Sequence, residues 1–114
     1  MNILAVPIET PTAQAVSVTE DTLTVDLTDG RTLSVPIGWF PRLVHAEPQE
    51  RDRWRLVGRG QGIHWEDLDE DISIDGLLAG RPSGESQDSL RKWLERKSSL
   101  TSALSGSVKG SDKI

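Results

Sequence analysis

The alternation of apolar and polar residues between Thr22 and Ile37 constrains the fold of this chain more than any other feature. Residues 22–27 read Thr-Leu-Thr-Val-Asp-Leu, and residues 32–37 read Thr-Leu-Ser-Val-Pro-Ile. A period of two is typical of strands with one buried face, and Asp29-Gly30 between the two runs indicates a hairpin turn. A third alternating run precedes them. The sequence therefore predicts an antiparallel meander with strands at about Val16–Thr19, Thr22–Leu27 and Thr32–Ile37.

The faces of the two strands decide the length of the turn between them. A two-residue loop of Asp29 and Gly30 would set Val25 opposite Ser34, which mixes apolar and polar side chains on one face. A three-residue loop that begins at Thr28 sets Val25 opposite a leucine and places its glycine at the left-handed position of a type I turn plus bulge. We therefore predict the three-residue loop. The expected buried face consists of Leu23, Val25, Leu33 and Val35.

Weaker signals predict the elements that follow. Because Pro36 cannot donate to a strand ladder, the end of its strand should not lie in the centre of a sheet. We also expect short helices at residues 38–45 and 48–53, strands at 54–57, 63–65 and 72–74, a helical turn at 76–79 capped by Asp75, and a helix from Glu85 to Lys97. The predicted fold class is α+β: a small single domain with an antiparallel β-meander or sheet, short helices and a C-terminal helix.

Composition separates a folded part from two ends. Residues 98–114 hold six serines and two glycines, and residues 1–12 carry two prolines. Segments with so few apolar residues cannot bury enough surface to order themselves. We predict a flexible N-terminal segment at 1–12, a single α+β domain at 13–97, and a disordered, Ser/Gly-rich tail at 98–114.

Charge and cysteine content narrow the class of protein. The net charge of −5 and the pI near 4.9 argue against binding to nucleic acid or to an anionic membrane. The chain has no cysteine, which excludes disulfides and fits a reducing compartment. No apolar run approaches the roughly 18 residues of a membrane span, and the start does not resemble a signal peptide. We expect a cytoplasmic protein without a membrane segment.

The most distinctive stretch is acidic. Six carboxylates lie between Gly60 and Gly80, five of them in the segment Glu66–Asp71. Alternate aspartates in this segment have the 1, 3, 5 spacing of a calcium-binding EF-hand loop. However, Ile72 stands where that loop needs glycine, and Leu78 stands where it needs glutamate. We therefore predict no metal and no cofactor, and we interpret the acids as capping residues, a solvated loop, or a surface for a basic partner.

Other residues suggest chemistry less specifically. His64 could act as a general base, but no nucleophile motif surrounds it, and a structural histidine with one satisfied nitrogen is the simpler interpretation. A basic stretch could touch nucleic acid, yet it alternates with Glu50 and Asp52 like a salt-bridged face. It consists of Arg42, Arg51, Arg53 and Arg55. Three of the four tryptophans should belong to the core, and Trp39 is the best candidate for an exposed one. Exposed tryptophan together with arginine is typical of an interface hot spot.

Several of these segments occur together in a familiar order. They are residues 23–37 with Asp29-Gly30-Arg31, Trp39-Phe40-Pro41-Arg42-Leu43, Gly62-Ile63-His64-Trp65, Leu68–Ser73, and Gly76-Leu77-Leu78-Ala79-Gly80. The set resembles the bacterial family named domain of unknown function 2442, over roughly residues 13 to 96. The resemblance implies a small α+β domain on antiparallel strands, and the family has no established catalytic function.

The resemblance also carries two functional hints. Some members bear an added helix-turn-helix domain, and others are encoded beside members of domain of unknown function 4160, in what looks like a toxin–antitoxin pair. This chain shows no second domain, which weakens the first hint. It also has Glu66 where the family often has proline, which adds an acid to the segment.

We therefore predict a non-catalytic protein-binding module, the antitoxin-like partner of a small basic protein. The expected partner-binding residues are Trp39, Arg42, Glu66, Asp69, Glu70 and Asp71. The alternative is a transcription-linked accessory or weak DNA-binding regulator. An enzyme ranks last, because no nucleophile–base pair, cofactor loop or metal set can be assembled from these residues.

Overall fold

The computed structural model describes residues 10–112, with side chains through Ser99. The chain falls into two units, Met1–Ser83 and Gly84–Ile114, so the predicted domain at 13–97 spans both. Of the segment 1–12, for which we predicted flexibility, residues 1–9 lie outside the described residues. Thr12 is tied to the hairpin turn, because its N–H donates to Thr28 Oγ1 at 3.0 Å and its carbonyl accepts the N–H of Thr28 at 2.8 Å.

The described part of the first unit contains two antiparallel sheets of three strands, which confirms the α+β class. One sheet consists of β1 (Ala13–Val18), β2 (Thr22–Leu27) and β3 (Thr32–Pro36), and the other of β4 (Trp54–Val57), β5 (Gly62–Trp65) and β6 (Glu70–Ser73). The short helices are α1 (Pro41–Val44), α2 (Pro48–Arg51) and α3 (Ile74–Leu78), with 3-10 turns at Ile37–Trp39 and Glu66–Leu68. Each sheet keeps its strands in chain order, with β2 and β5 at the centres.

The register of the β2–β3 hairpin is the predicted one. Val25 lies opposite Leu33, and Leu23 lies opposite Val35. Gly30 has a φ of +96°, and the N–H of Leu27 donates to the carbonyl of Arg31 at 2.8 Å, which closes the three-residue loop. β3 is an edge strand, as its proline indicated. β1 starts earlier than predicted, because a bulge in its first residues extends the pairing with β2.

The second sheet buries one face and exposes the other. Ile63, Trp65 and Ile72 are buried, and the indole N–H of Trp65 donates to the carbonyl of Arg51 at 3.0 Å. The opposite face carries a cross-strand row of Arg55, His64 and Asp71. Apolar side chains from both sheets and from the short helices make the core: Ala13, Leu23, Val25, Leu27, Ile37, Phe40, Leu43, Ala46, Ile63, Trp65, Leu68, Ile72, Ile74 and Leu77.

The prediction that Asp75 caps α3 is wrong. β6 runs into α3 at Ser73, whose backbone is extended and whose Oγ accepts the N–H of Gly76 at 2.9 Å. Serine is as good an N-cap as aspartate, and only Ser73 lies at the point where the strand stops. The helix ends in a Schellman motif: Arg81 N–H donates to the carbonyl of Gly76 at 2.9 Å, and Gly80 has a φ of +72°.

The second unit contains the helix α4 (Gln87–Asp112). It begins two residues after the predicted start and extends past Lys97, where the charge order indicated its end. The prediction of a disordered tail at 98–114 lies almost entirely beyond the described side chains and stays a prediction. Among the described residues, no helix is both long and apolar enough to cross a membrane.

Candidate protein-binding surface

The acidic segment forms the connection between β5 and β6. Glu66–Leu68 make a 3-10 turn, and Asp69 follows in the left-handed region with a φ of +51°. Aspartate tolerates that conformation better than most residues.

Three of the carboxylates face water. The side chains of Glu66, Asp69 and Asp71 are 74%, 85% and 71% exposed. We call these three residues the acidic surface. Glu70, which we also predicted to bind a partner, is half-buried on the inner face of β6, and its Oε1 accepts the N–H of Asp71 at 3.0 Å.

Nearby arginines pair with this segment. Arg55 Nη2 lies 3.2 Å from Glu66 Oε1, and Arg53 Nη1 lies 3.2 Å from Asp67 Oδ2. Both arginine side chains are more than half exposed. Ion pairs in such positions contribute at most about 1 kcal/mol, so a partner's cation can replace either arginine at little cost.

His64 sits between two carboxylates. Its Nδ1 lies 2.7 Å from Asp71 Oδ1, and its Nε2 lies 3.6 Å from Glu66 Oε1. Because the two acids meet opposite nitrogens of the ring, the three side chains do not converge on a single ion. Among the described residues, no group of three or more histidines, aspartates and glutamates is arranged to hold a metal. The geometry fits the structural interpretation of His64, with one nitrogen held by a close partner.

Trp39 and Arg42 do not occupy the positions that the sequence suggested. Trp39 is half-buried rather than exposed, and its main-chain carbonyl accepts the N–H of Ser83 at 2.9 Å. The side chain of Arg42 is only 13% exposed and donates to the carbonyls of Leu68 and Asp69. In the part of the chain with described side chains, Val44 is the only large apolar residue that is exposed.

A pocket of about 240 Å³ adjoins the acidic surface at Asp71. Its lining comes from β6, from α3 and from the segment that follows α3, together with Phe40. Among its polar lining residues, Asp71 was predicted to bind a partner, whereas Ser73 and Arg81 were not. The sequence does contain a signal for each of them. Ser73 is a preferred N-cap residue type three positions before Gly76, and Arg81 follows the glycine at which the helix must stop.

The fold and this surface define a small α+β domain of two three-stranded antiparallel sheets with an acidic connection beside a pocket. The match to the family described as "Protein of unknown function (DUF2442)" covers residues 13–83. The chain therefore belongs to that family.

Two solved structures are similar to this chain. A protein of unknown function from Rhodospirillum rubrum is 30% identical, with a TM-score of 0.60 over 69% of this chain and 98% of its own. An uncharacterised protein from Chromobacterium violaceum, solved by NMR, is 27% identical, with a TM-score of 0.56 over 64% of this chain and 69% of its own. No curated protein matches the chain.

Proposed function

We propose that this protein is a non-catalytic binding module of the cytoplasm that engages a small basic protein through its acidic surface, as the antitoxin-like member of a two-gene pair. The observation that carries the proposal is the exposure of Glu66, Asp69 and Asp71, each above 70%, beside a pocket. Exposed carboxylates on one side of a domain attract a basic partner and accelerate its encounter.

The contacts within the segment support exchange with a partner. Arg55 and His64 meet Glu66 at 3.2 Å and 3.6 Å. The Arg55 pair is exposed on both sides, so its loss costs little and a partner's lysine or arginine can take its place. The β-strands beneath keep the acids in position, because Trp65 and Leu68 are fully buried on either side of Glu66.

The arginines of the basic stretch are engaged in contacts within the protein. Arg53 and Arg55 are paired with acids, while Arg51 donates to the carbonyls of Leu43 and Val44 at 3.0 Å and 3.1 Å. Arginines engaged in this way have fewer donors left for phosphates. Among the described residues, no specific contact favours the alternative of a transcription-linked or DNA-binding regulator.

The non-catalytic part of the proposal rests on His64. Both ring nitrogens face carboxylates, and among the described residues no serine or threonine hydroxyl bonds to either one. A general base needs a proton donor within hydrogen-bond reach or a substrate held there. The site as built offers a fixed imidazole without a nucleophile.

The test is affinity capture from native cells with the tagged full chain. One variant combines Glu66→Lys with Asp71→Lys, which leaves the half-buried Glu70 and the left-handed Asp69 untouched. We expect the wild type to capture a small basic protein and this variant to lose it. Expression of the captured protein alone should arrest growth, and co-expression of the wild type should relieve the arrest.

A matched control reverses two other acids. Glu20→Lys with Asp21→Lys makes the same change in net charge at exposed positions of the β1–β2 turn, where neither carboxylate has a hydrogen bond or ion pair among the described residues. Circular dichroism should show all three proteins folded. If the wild type and both variants capture the same proteins, the acidic surface does not bind a partner.

A further inference from the structure

The pocket beside the acidic surface has an apolar floor and a charged rim. Phe40, Ile72 and Leu77 line it and are 5%, 4% and 4% exposed. Its volume of about 240 Å³ lies below the roughly 300–1,000 Å³ of sites for drug-sized ligands. An opening of this size and polarity suits a single side chain of a partner protein.

Arg81 supplies a cation at this rim. Its backbone is held by the Schellman motif of α3, so the residue starts from a defined position. Its side chain is exposed and has no ion pair or hydrogen bond among the described residues. A guanidinium in that state offers two parallel N–H donors, the geometry that a carboxylate accepts.

Ser73 supplies a neutral donor. Its Oγ already accepts the N–H of Gly76 at 2.9 Å, while its own hydroxyl proton has no acceptor among the described residues. A carboxylate or a main-chain carbonyl that enters the pocket can take that proton. The cap fixes the position of the oxygen, and the hydroxyl proton can rotate toward an acceptor in the pocket.

Asp71 adds a carboxylate to the pocket lining, and its Oδ1 also lies 2.7 Å from His64 Nδ1. Asp71 lines the pocket and also belongs to the acidic surface, and Arg81 supplies a positive charge to the same pocket. A phosphate or nucleic acid would meet the carboxylates around Asp71 and be repelled. A second copy of this chain carries the same net charge of −5 and is disfavoured as well.

We propose that the pocket holds one aliphatic side chain of the basic partner, with a lysine or arginine of that partner paired to Asp71 and a neighbouring carboxylate paired to Arg81. This inference rests on the proposed function and places the apolar anchor of the interface in the pocket rather than at Trp39. An anchor side chain that fills a pocket inside a polar rim is a recurring arrangement of binding interfaces.

The experiment titrates capped tripeptides into the full, ¹⁵N-labelled chain. The probes are Lys-Leu-Glu, Lys-Gly-Glu without the anchor, and Lys-Leu-Lys with the acid reversed. We expect saturable shifts at the amides of Ser73, Gly76 and Arg81 with Lys-Leu-Glu only. Arg81→Glu should lower the affinity for Lys-Leu-Glu by at least about tenfold and should make Lys-Leu-Lys the preferred probe.

Arg59→Glu is the matched control, because Arg59 is exposed, has no side-chain partner among the described residues and does not line the pocket. It should leave the preference for Lys-Leu-Glu unchanged. The inference is overturned if no peptide saturates at millimolar concentration, if Lys-Gly-Glu binds equally, or if both arginine variants behave alike.

Capture of the native partner separates this inference from the proposed function. If the Glu66→Lys, Asp71→Lys variant loses the partner while Arg81→Glu keeps it at full affinity, the acidic surface binds and the pocket is not the anchor. If neither variant changes the capture, the proposed function fails as well.

Discussion

Arg42 contacts Asp69 through the main chain rather than through its carboxylate. Arg42 Nη1 lies 2.8 Å from the carbonyl oxygen of Asp69 and 3.9 Å from Oδ2. The same nitrogen lies 3.3 Å from the carbonyl of Leu68. Arg42 therefore satisfies the end of the 3-10 turn and stabilises the left-handed backbone of Asp69, and the aspartate carboxylate stays in water.

Replacing Arg42 should cost stability. Arg42→Met keeps most of the apolar stem but leaves the Leu68 and Asp69 carbonyls without their donor, at a cost of about 1–3 kcal/mol in the free energy of unfolding. Arg53→Met is the control, because the Arg53 side chain is 60% exposed, so its contacts with Asp67 and with the carbonyl of Gln49 (3.3 Å) are worth less than about 1 kcal/mol. Urea denaturation measures both variants. Similar losses in the two would show that Arg42 has no special structural role.

Substitution of Gly30 should lower stability because of its backbone conformation alone. Its φ is +96°, and a Cβ built there meets no atom within 4 Å. Gly30→Ala should therefore lower the free energy of unfolding by about 1 kcal/mol through conformation, without a clash. Gly38→Ala is the control: a Cβ at Gly38 also meets no atom within 4 Å, but Gly38 does not have a positive φ, so this substitution should cost less stability. Equal denaturation midpoints for the Gly30 variant and wild type would contradict this account.

The β2–β3 hairpin could be predicted because its information is local. The side chains of a strand alternate between faces, so a slip of one residue would place Val25 opposite Ser34 and expose an apolar residue. The structure avoids that: Val25 is 1% exposed and Asp26 is exposed. One alternating pattern and one glycine sufficed to specify both register and loop length.

The candidate site was less predictable than the hairpin, because its contacts join parts of the chain that are distant in sequence. The main chain of Trp39 pairs with that of Ser83, and the guanidinium of Arg42 donates to the carbonyls of Leu68 and Asp69. Neither contact leaves a periodic pattern in the sequence. The choice of Ser73 over Asp75 as cap likewise depends on where β6 stops pairing with β5, which propensity alone does not decide.

The carboxyl group of Asp29 should make the free energy of unfolding depend on pH. The backbone N–H of Arg31 donates to Asp29 Oδ1 at 3.0 Å, and this hydrogen bond holds the pKa of the carboxyl below its usual value of 3.8. A group with a lowered pKa in the folded state stabilises the fold above its unfolded pKa, and that contribution disappears as the pH falls through the folded pKa.

The measurement is the urea midpoint at about pH 6 and at about pH 2.5. Asp29→Asn cannot lose a charge, so its midpoint should fall less between the two pH values than that of the wild type. Asp21→Asn serves as control, because its side chain has no hydrogen bond among the described residues. If the two variants show the same pH dependence, the turn contact is not responsible.

The effects on stability of substituting Ser73 and Gly76 should be coupled. Ser73→Ala removes the N-cap of α3 and should cost about 1 kcal/mol. Gly76→Ala has two opposed effects. Alanine favours the helix by about 1 kcal/mol over glycine, but its Cβ would lie 2.8 Å from Ser73 Oγ. The serine must then rotate away and give up the cap, so the single Gly76→Ala variant should be near neutral.

The double-mutant cycle separates these effects. Once Ser73→Ala has removed both the cap and the obstruction, Gly76→Ala should stabilise the protein by about 1 kcal/mol, which gives a coupling of similar size. Urea denaturation of the wild type, the two single variants and the double variant measures it. Additive changes would mean that Oγ and a Cβ at position 76 fit together. The cap would then survive the substitution, and Gly76 would not be needed to keep the Ser73 hydroxyl at the pocket rim.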